Sequence, residues 1–433
     1  MKRLIIYAWA TLLCCAAYAQ VPNVTGRVTS TGGLPIEGVV VSDGFNCTQT
    51  DADGRYALTS DLELRRFVFV SVPAEYEIPA RHGCPQFFRR IDRFQKEVKA
   101  DFVLEPRLVP AVHHTLLVQG DPQIKNYGVD GSAEAYRSVV IPDIRMRSTI
   151  TTPCYGINLG DLVYNDMNVY NAYIDNTGRV NTTTFNVIGN HDHDQTTILS
   201  DSLGTVYFEM YLGPTCYSVE LGELHFIFLD NIVMKNNTLD PNNVGAYSDG
   251  LSDEAYSWLC NDLKYVDKDR TVMLCAHSSM FRKPDSEPAD RDRHGPDYAS
   301  RLAQYRCVHS WAGHSSISTT PIRPRSRRRS FPTSNRTSWP VRPGRCGSTK
   351  ACRATERRGA IWSWRSTGRR SVGTISLILM KMTYLRGWIA VTRSVFTLPV
   401  SGTATDTSTP MSGTTTPAGG PSAIRTAAKA APK

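Results

Sequence analysis

Four short apolar runs, at 115–119, 155–158, 185–188 and 271–276, each break directly into a loop bearing a carboxylate, an amide or an imidazole. Gly120-Asp121-Pro122-Gln123 follows the first run, and Gly160-Asp161-Leu162-Val163-Tyr164-Asn165-Asp166 follows the second. Gly189-Asn190-His191-Asp192 follows the third and Ala276-His277-Ser278 the last, with Ala312-Gly313-His314-Ser315-Ser316 further on. Helical patterns lie between the runs, at 133–147 and at 253–264, where Ser252 is the expected cap. Gly222-Glu223 separates two more strand-like runs, at 217–221 and 225–229, as a hairpin turn would. Strands alternating with helices build an α/β sheet with helical cover. Ligands of such sheets bind at the carboxyl ends of the strands, where these loops fall.

Residues 20–105 follow a different rule. Short strands at 24–28, 39–41, 55–58 and 67–72 are separated by Asp43-Gly44 and Asp51-Ala52-Asp53-Gly54 turns. That spacing predicts a small all-β sandwich. Gly-x-Val, then a β-branched run, then a Thr-Asp-x-x-Gly-x-Tyr segment, resembles the carboxypeptidase regulatory-like domain, which is structural. Asp51 and Asp53 are read as turn formers rather than as a calcium site.

The loop residues suit a pair of metal ions. Carboxylates and amide oxygens are hard ligands, and imidazole suits zinc, iron and manganese. Two cations about 3.5–4 Å apart can activate one water and clamp both oxygens of an in-line displacement at phosphorus. An imidazole outside the metal shell can protonate the leaving alkoxide. The order Asp-x-(His/Gln), Gly-Asp, Gly-Asn-His-Asp, His, Gly-His-x-His resembles that of calcineurin-like metallophosphoesterases, over residues 106–316. The resemblance implies a metallophosphoesterase-type β-sandwich flanked by helices. It implies two divalent or trivalent ions (manganese, iron or zinc). Asp121 and Gln123 would serve the first metal and Asp161 would bridge. Asn190, His277 and His314 would serve the second. His191 would contact the phosphate or act as general acid, with Asp192 orienting it. Gln123 departs from the commoner His of the family. His113, His114, His193, Asp194 and the Asp230-Asn231 pair match no motif position and are left unassigned.

The family's last motif calls for a second His two residues after His314, and this chain has Ser316 there. From that point the composition changes. Residues 317–433 hold 21 Lys and Arg against Glu356 and Asp406, with no His and one Tyr, whereas residues 1–316 hold 28 basic and 38 acidic residues. The net charge of +9 therefore comes entirely from one abnormal segment, and no specific nucleic-acid partner is inferred from it. This tail reads as disordered and as the product of a reading-frame slip. Shifting the frame by one base lets 316–321 encode His-Ile-Asn-Tyr-Thr, which restores Gly-His-Ser-His.

Lys2 and Arg3, an apolar run at 4–16 and Ala17-Tyr18-Ala19 form a signal-peptide pattern over residues 1–19. Export to the periplasm or the extracellular space is expected, with no transmembrane segment after cleavage. The seven cysteines of residues 20–316 are widely spaced and form no Cys-x-x-Cys pair. They read as buried thiols with one or two disulfides, not as a zinc cluster. The expected activity is hydrolysis of a phosphorylated small molecule or phosphodiester by metal-activated water. The alternatives are an impaired product of a disrupted gene, or a cell-surface binding module with a structural metal site.

Overall fold

Val24–Ser30 alternates buried Val24, Val28 and Ser30 with more exposed neighbours, as a strand covered on one face must. It pairs antiparallel with Arg55–Leu58 and parallel with Val98–Lys99 and Phe102–Leu104. A second four-stranded sheet runs in the order Cys47–Gln49, Val40–Ser42, Phe67–Val70, Phe88–Arg90. The Asp51 carboxylate accepts from the Asp53 and Arg55 amides at 3.0 and 2.8 Å, so it closes its own turn. These elements belong to a computed structural model that describes residues 21–108, 113–126, 132–150, 153–196, 200–235, 245–280, 294–305, 307–312, 371–385 and 388–401. The expected signal peptide at 1–19 and the loop that carries His314 lie outside the described residues, as does most of 317–433.

Two larger sheets build the α/β unit, beside the short pairs Ile232–Met234 with Tyr247–Asp249 and Ala80–Arg81 with Cys84–Pro85. In the first, Thr183–Val187, Cys154–Leu159, His113–Gly120 and Ser371–Leu385 are parallel neighbours, and Trp388–Ser401 adds antiparallel at the edge. In the second, Tyr217–Leu221 forms a hairpin with Leu224–Leu229, which pairs in parallel with Thr271–Ala276, itself parallel to Cys307–Ala312. Phe185 of one sheet stacks on Phe228 of the other with centroids 5.2 Å apart, and both are fully buried. Each such side chain contributes roughly 1.5–3 kcal/mol over an exposed one.

Helices cover the sheets. Ser132–Ala135 and Ile141–Ile150 are α-helical around a π-helical stretch, Tyr136–Val140, just before Pro142. A proline lacks the N–H that an α-helix interior would use, and a wider turn absorbs it. Asp253–Asp262 begins at Ser252, whose hydroxyl accepts from the Ala255 amide at 3.1 Å. No described helix is long and apolar enough to cross a membrane.

The small sandwich is joined to this unit by one continuous apolar core that includes Val24, Phe69, Tyr217 and Phe228. The Trp258 indole donates to the Ser42 hydroxyl at 3.2 Å, and the Asn261 amide to the Phe45 carbonyl at 2.8 Å. Phe87 lies 4.8 Å from the Tyr217 ring.

Two expectations change here. The tail at 317–433 reads as disordered, yet 371–385 and 388–401 within it are paired strands. The segment 375–382 is nearly all apolar, so it offers no alternation to detect. Disulfides were expected, but Cys47, Cys84, Cys154, Cys216, Cys260 and Cys275 are free thiols. Burial pushes the Cys84 and Cys216 thiols up to about 12, which makes both inert.

Candidate metal centre

Three parallel neighbours of the first sheet, His113–Gly120, Cys154–Leu159 and Thr183–Val187, deliver Asp121, Asp161 and Asn190 from their carboxyl ends. Thr271–Ala276 of the second sheet delivers His277. The loops are tightly wound. Asp121, Gln123 and Asp161 have φ of 51°, 46° and 54°, a left-handed conformation costly for residues with a Cβ. Two glycines let the loops press together. A Cβ on Gly160, whose φ is +91°, would lie 2.5 Å from His277 Nδ1, and one on Gly189 would lie 2.4 Å from Asp161 Oδ1.

One ligand atom from each of Asp121, Asp161 and His277 lies within 4.8 Å of the others. His277 Nδ1 faces the Leu159 carbonyl at 2.9 Å and so carries a proton. Its Nε2 then points at Asn190 Oδ1, 3.1 Å away, and Asp161 Oδ1, 3.4 Å away. Asp161 and His277 are fully buried. The Asp161 oxygens already accept from the His191 amide and from Gln123, both at 2.9 Å, and a cation among the converging oxygens and ring nitrogen would be stabilised further. The donor set of carboxylate, amide oxygen and imidazole fits a first-row transition metal. A ring nitrogen fixed by a backbone carbonyl is how proteins orient a metal-binding histidine.

Gln123 stands differently from its expected role. Its amide nitrogen donates to Asp161 Oδ2 at 2.9 Å, which makes it a brace for that carboxylate as it stands.

His191 presents Nε2 toward Asp161 Oδ2 at 4.0 Å. Its Nδ1 meets Asn165 Oδ1 at 2.8 Å, and its ring stacks on Tyr164 with centroids 4.1 Å apart. Lys125 Nζ lies 3.9 Å from the Tyr164 ring centre. Burial lowers the His191 pKa, with His277 and Lys125 adding to the effect and Asp161 opposing it.

Asp192 was expected to orient His191. Its carboxylate is instead taken by backbone amides: Leu162 and Gly189 donate to Oδ2 at 3.1 and 2.8 Å, and Val163 donates to Oδ1 at 3.0 Å. It staples the Gly-Asp loop to the Gly-Asn-His-Asp loop. Burial and the Asp161 charge push its pKa up to about 7, against the pull of those three amides. Asn165 and Tyr164, which do hold His191, lie inside the motif at 160–166 but carry no spacing signal of their own. Asn165 has φ of 57°, a backbone state that asparagine tolerates better than most residues.

His193 is fully buried behind this loop, with Nδ1 2.9 Å from the Gly189 carbonyl and Nε2 3.5 Å from Asp230. Burial works against the charged ring, but Asp230, the Gly189 carbonyl and Asp201 outweigh it and push the pKa up to about 9.

Residues 22–107 match a family model described as the N terminal of calcineurin-like phosphoesterase. That is the stretch whose motifs resemble the carboxypeptidase regulatory-like domain. No curated protein matches the chain. Among solved structures, a purple acid phosphatase from yellow lupin (Lupinus luteus) seeds is similar over 63% of this chain, at 12% identity and a TM-score of 0.31. The match covers 52% of that phosphatase, so this chain spans about half its length. A likeness that loose carries neither the fold nor the chemistry, which rest on the residues above.

Proposed function

We propose that this chain hydrolyses a phosphate mono- or diester at a two-metal centre. The observation that carries the reading is the convergence of Asp121, Asp161 and His277 on one point at the strand ends, with Asn190 and His191 beside it. Asp121 and Asp161 would hold one ion, and Asp161, Asn190 and His277 the other. When bound, such ions supply the Lewis acidity that activates water and neutralises phosphoryl charge. The rest falls to the chain's own side chains. His191 donates its Nδ1 proton to Asn165 Oδ1, which turns Nε2 toward the cleft. The ring can protonate the leaving alkoxide only from its doubly protonated form, which burial disfavours and a neighbouring anion restores. Tyr164 keeps the ring from rotating away. The family model matched by residues 22–107 supports a phosphorylated substrate.

A second reading, that of an impaired enzyme, has its own support. Ser316 stands where the motif order calls for an imidazole, and Gln123 braces Asp161 rather than facing a metal. The first ion is then held weakly. The basic composition of 317–433 supports a frame slip. Reading the DNA across codons 314–322 decides it: codons unable to encode His-Ile-Asn-Tyr in the shifted frame would retire that explanation. The pattern at 1–19 supports export, and a mature chain starting at Gln20 by mass spectrometry is the expected result.

The activity test compares wild-type chain with His191→Ala after loading with manganese or zinc. Hydrolysis of p-nitrophenyl phosphate and bis(p-nitrophenyl) phosphate is followed, with metal content measured by plasma mass spectrometry. Metal-dependent turnover lost in the variant supports the proposal. Turnover equal in both chains, or no bound metal, sinks it.

A further inference from the structure

The two halves of the centre come from different sheets, tied directly by His277 Nδ1 against the Leu159 carbonyl at 2.9 Å. Asn190 and His191 ride on a loop of the first sheet, and His277 ends a strand of the second. One dipeptide grips both. Asp230-Asn231 directly follows the strand Leu224–Leu229 of the second sheet. Asn231 is 1% exposed and exchanges two hydrogen bonds with Ser278, the residue after His277. Its Nδ2 donates to the Ser278 carbonyl at 2.7 Å, and its Oδ1 accepts from the Ser278 amide at 3.1 Å.

Asp230 reaches the other way. Its Oδ1 accepts from the Ile232 amide at 3.1 Å, which fixes the carboxylate. Oδ2 stands 3.5 Å from Nε2 of buried His193. The far nitrogen of that ring meets the Gly189 carbonyl, immediately before Asn190. The chain of contacts therefore runs from the Asn190 loop through His193, Asp230 and Asn231 to the His277 loop. It spans the gap between Asn190 Oδ1 and His277 Nε2, which is 3.1 Å.

We propose that Asp230 and Asn231 are positioning residues that hold Asn190 and His277 at the separation at which one metal ion is shared between them. The inference rests on the metal reading above. The Asn231–Ser278 pair and the His193–Gly189 contact are directional hydrogen bonds, and His193–Asp230 is an ion-pair contact at 3.5 Å without hydrogen-bond geometry. Together they resist a shift that apolar contacts would permit. Partners of this kind, once lost, typically weaken metal binding about 10- to 100-fold.

The test is a cobalt(II) titration of the full chain, followed by calorimetry and by visible absorption of the bound ion. Wild type, Asn231→Ala, His277→Ala and the double variant form a cycle. We expect Asn231→Ala to weaken cobalt binding about 10-fold or more and to change its absorption spectrum. On the His277→Ala background the same change should alter affinity by no more than about twofold, because the geometry it serves is already gone. Equal cobalt affinity and spectra in wild type and Asn231→Ala overturn this inference alone. Equal weakening in both backgrounds also overturns it, since that marks a general loss of structure. A wild-type chain that takes up no cobalt overturns the metal reading and this inference together. Should Asn231→Ala fail to fold, Asp230→Asn, of the same size, puts the same cycle to the other arm.

Discussion

His225 and His277 sit at opposite ends of the same sheet, each beside two carboxylates, and the sheet treats them differently. At the amino end, His225 Nδ1 lies 2.6 Å from Glu220 and Nε2 lies 2.9 Å from Asp262. Asp262 also accepts from the Ser218 hydroxyl at 2.7 Å, and Glu220 pairs with Arg270 at 2.8 Å. This cluster is closed, because each ring nitrogen is taken and each acid has a cation. At the carboxyl end, His277 stands 3.4 Å from Asp161 and 3.9 Å from Asp121. One of its nitrogens is held by backbone and the other faces a meeting of oxygens. The same residue types thus build a self-neutralised clamp where they touch, and a candidate cation site where they stand slightly apart.

The largest effect should come from opening the second cluster. Asp161→Ala should lower the rate of phosphoester hydrolysis by about 10³-fold, on the scale of losing a main transition-state stabiliser. It should also reduce bound metal, measured on the same samples. Activity within tenfold of wild type would remove Asp161 from the centre.

Breaking the closed cluster should cost stability instead. His225→Ala leaves Asp262 buried without its cation, while Glu220 keeps Arg270; the expected loss is about 3–5 kcal/mol by chemical denaturation. His277→Ala in the metal-free chain should cost only about 1–3 kcal/mol, the loss of its backbone hydrogen bond. Equal costs would mean that the two ends do not differ in the way described.

Metal sharpens the contrast further. An ion at about 100 times its dissociation constant should stabilise the wild-type chain by about 2.7 kcal/mol. His225→Ala should keep that increment and Asp161→Ala should lose it, as read from thermal melts with and without chelator. Retention of the increment by Asp161→Ala would place the ion elsewhere.

A further contrast is in pH. Burial works against the charged form of His225, but Glu220 and Asp262 outweigh it and push the pKa up to about 10. Its contribution is complete below the ordinary histidine value of about 6.5. It is lost as pH rises through about 10. The urea midpoint of wild type should therefore fall between pH 7 and pH 10 more steeply than that of His225→Ala. Parallel slopes would show that His225 is not the charged group in the clamp.

Much of the scaffold was legible in the sequence. The runs at 115–119, 155–158 and 271–276 lie inside the observed strands, that at 185–188 overruns Thr183–Val187 by one residue, the hairpin turns at Gly222-Glu223, and Ser252 caps its helix. Those signals are local: a run must be apolar to be buried, and a cap must accept from an amide three residues on. The partners of His191 were not legible. Asp192 is its sequence neighbour, yet Asn165, 26 residues away, reaches the ring. Nor did the spacing of Asp230-Asn231 reveal its bracket to Ser278, 47 residues on.

The sequence by itself determined which residue types arrive at the strand ends, and in what order, because burial of apolar runs and turn chemistry act within a few residues. Only the tertiary structure decided which of them touch. Asp192 turned to the amides of its neighbouring loop, His225 closed on its acids and His277 did not. Those outcomes depend on differences of under an ångström between segments far apart in the chain, and such distances are set by how two sheets pack.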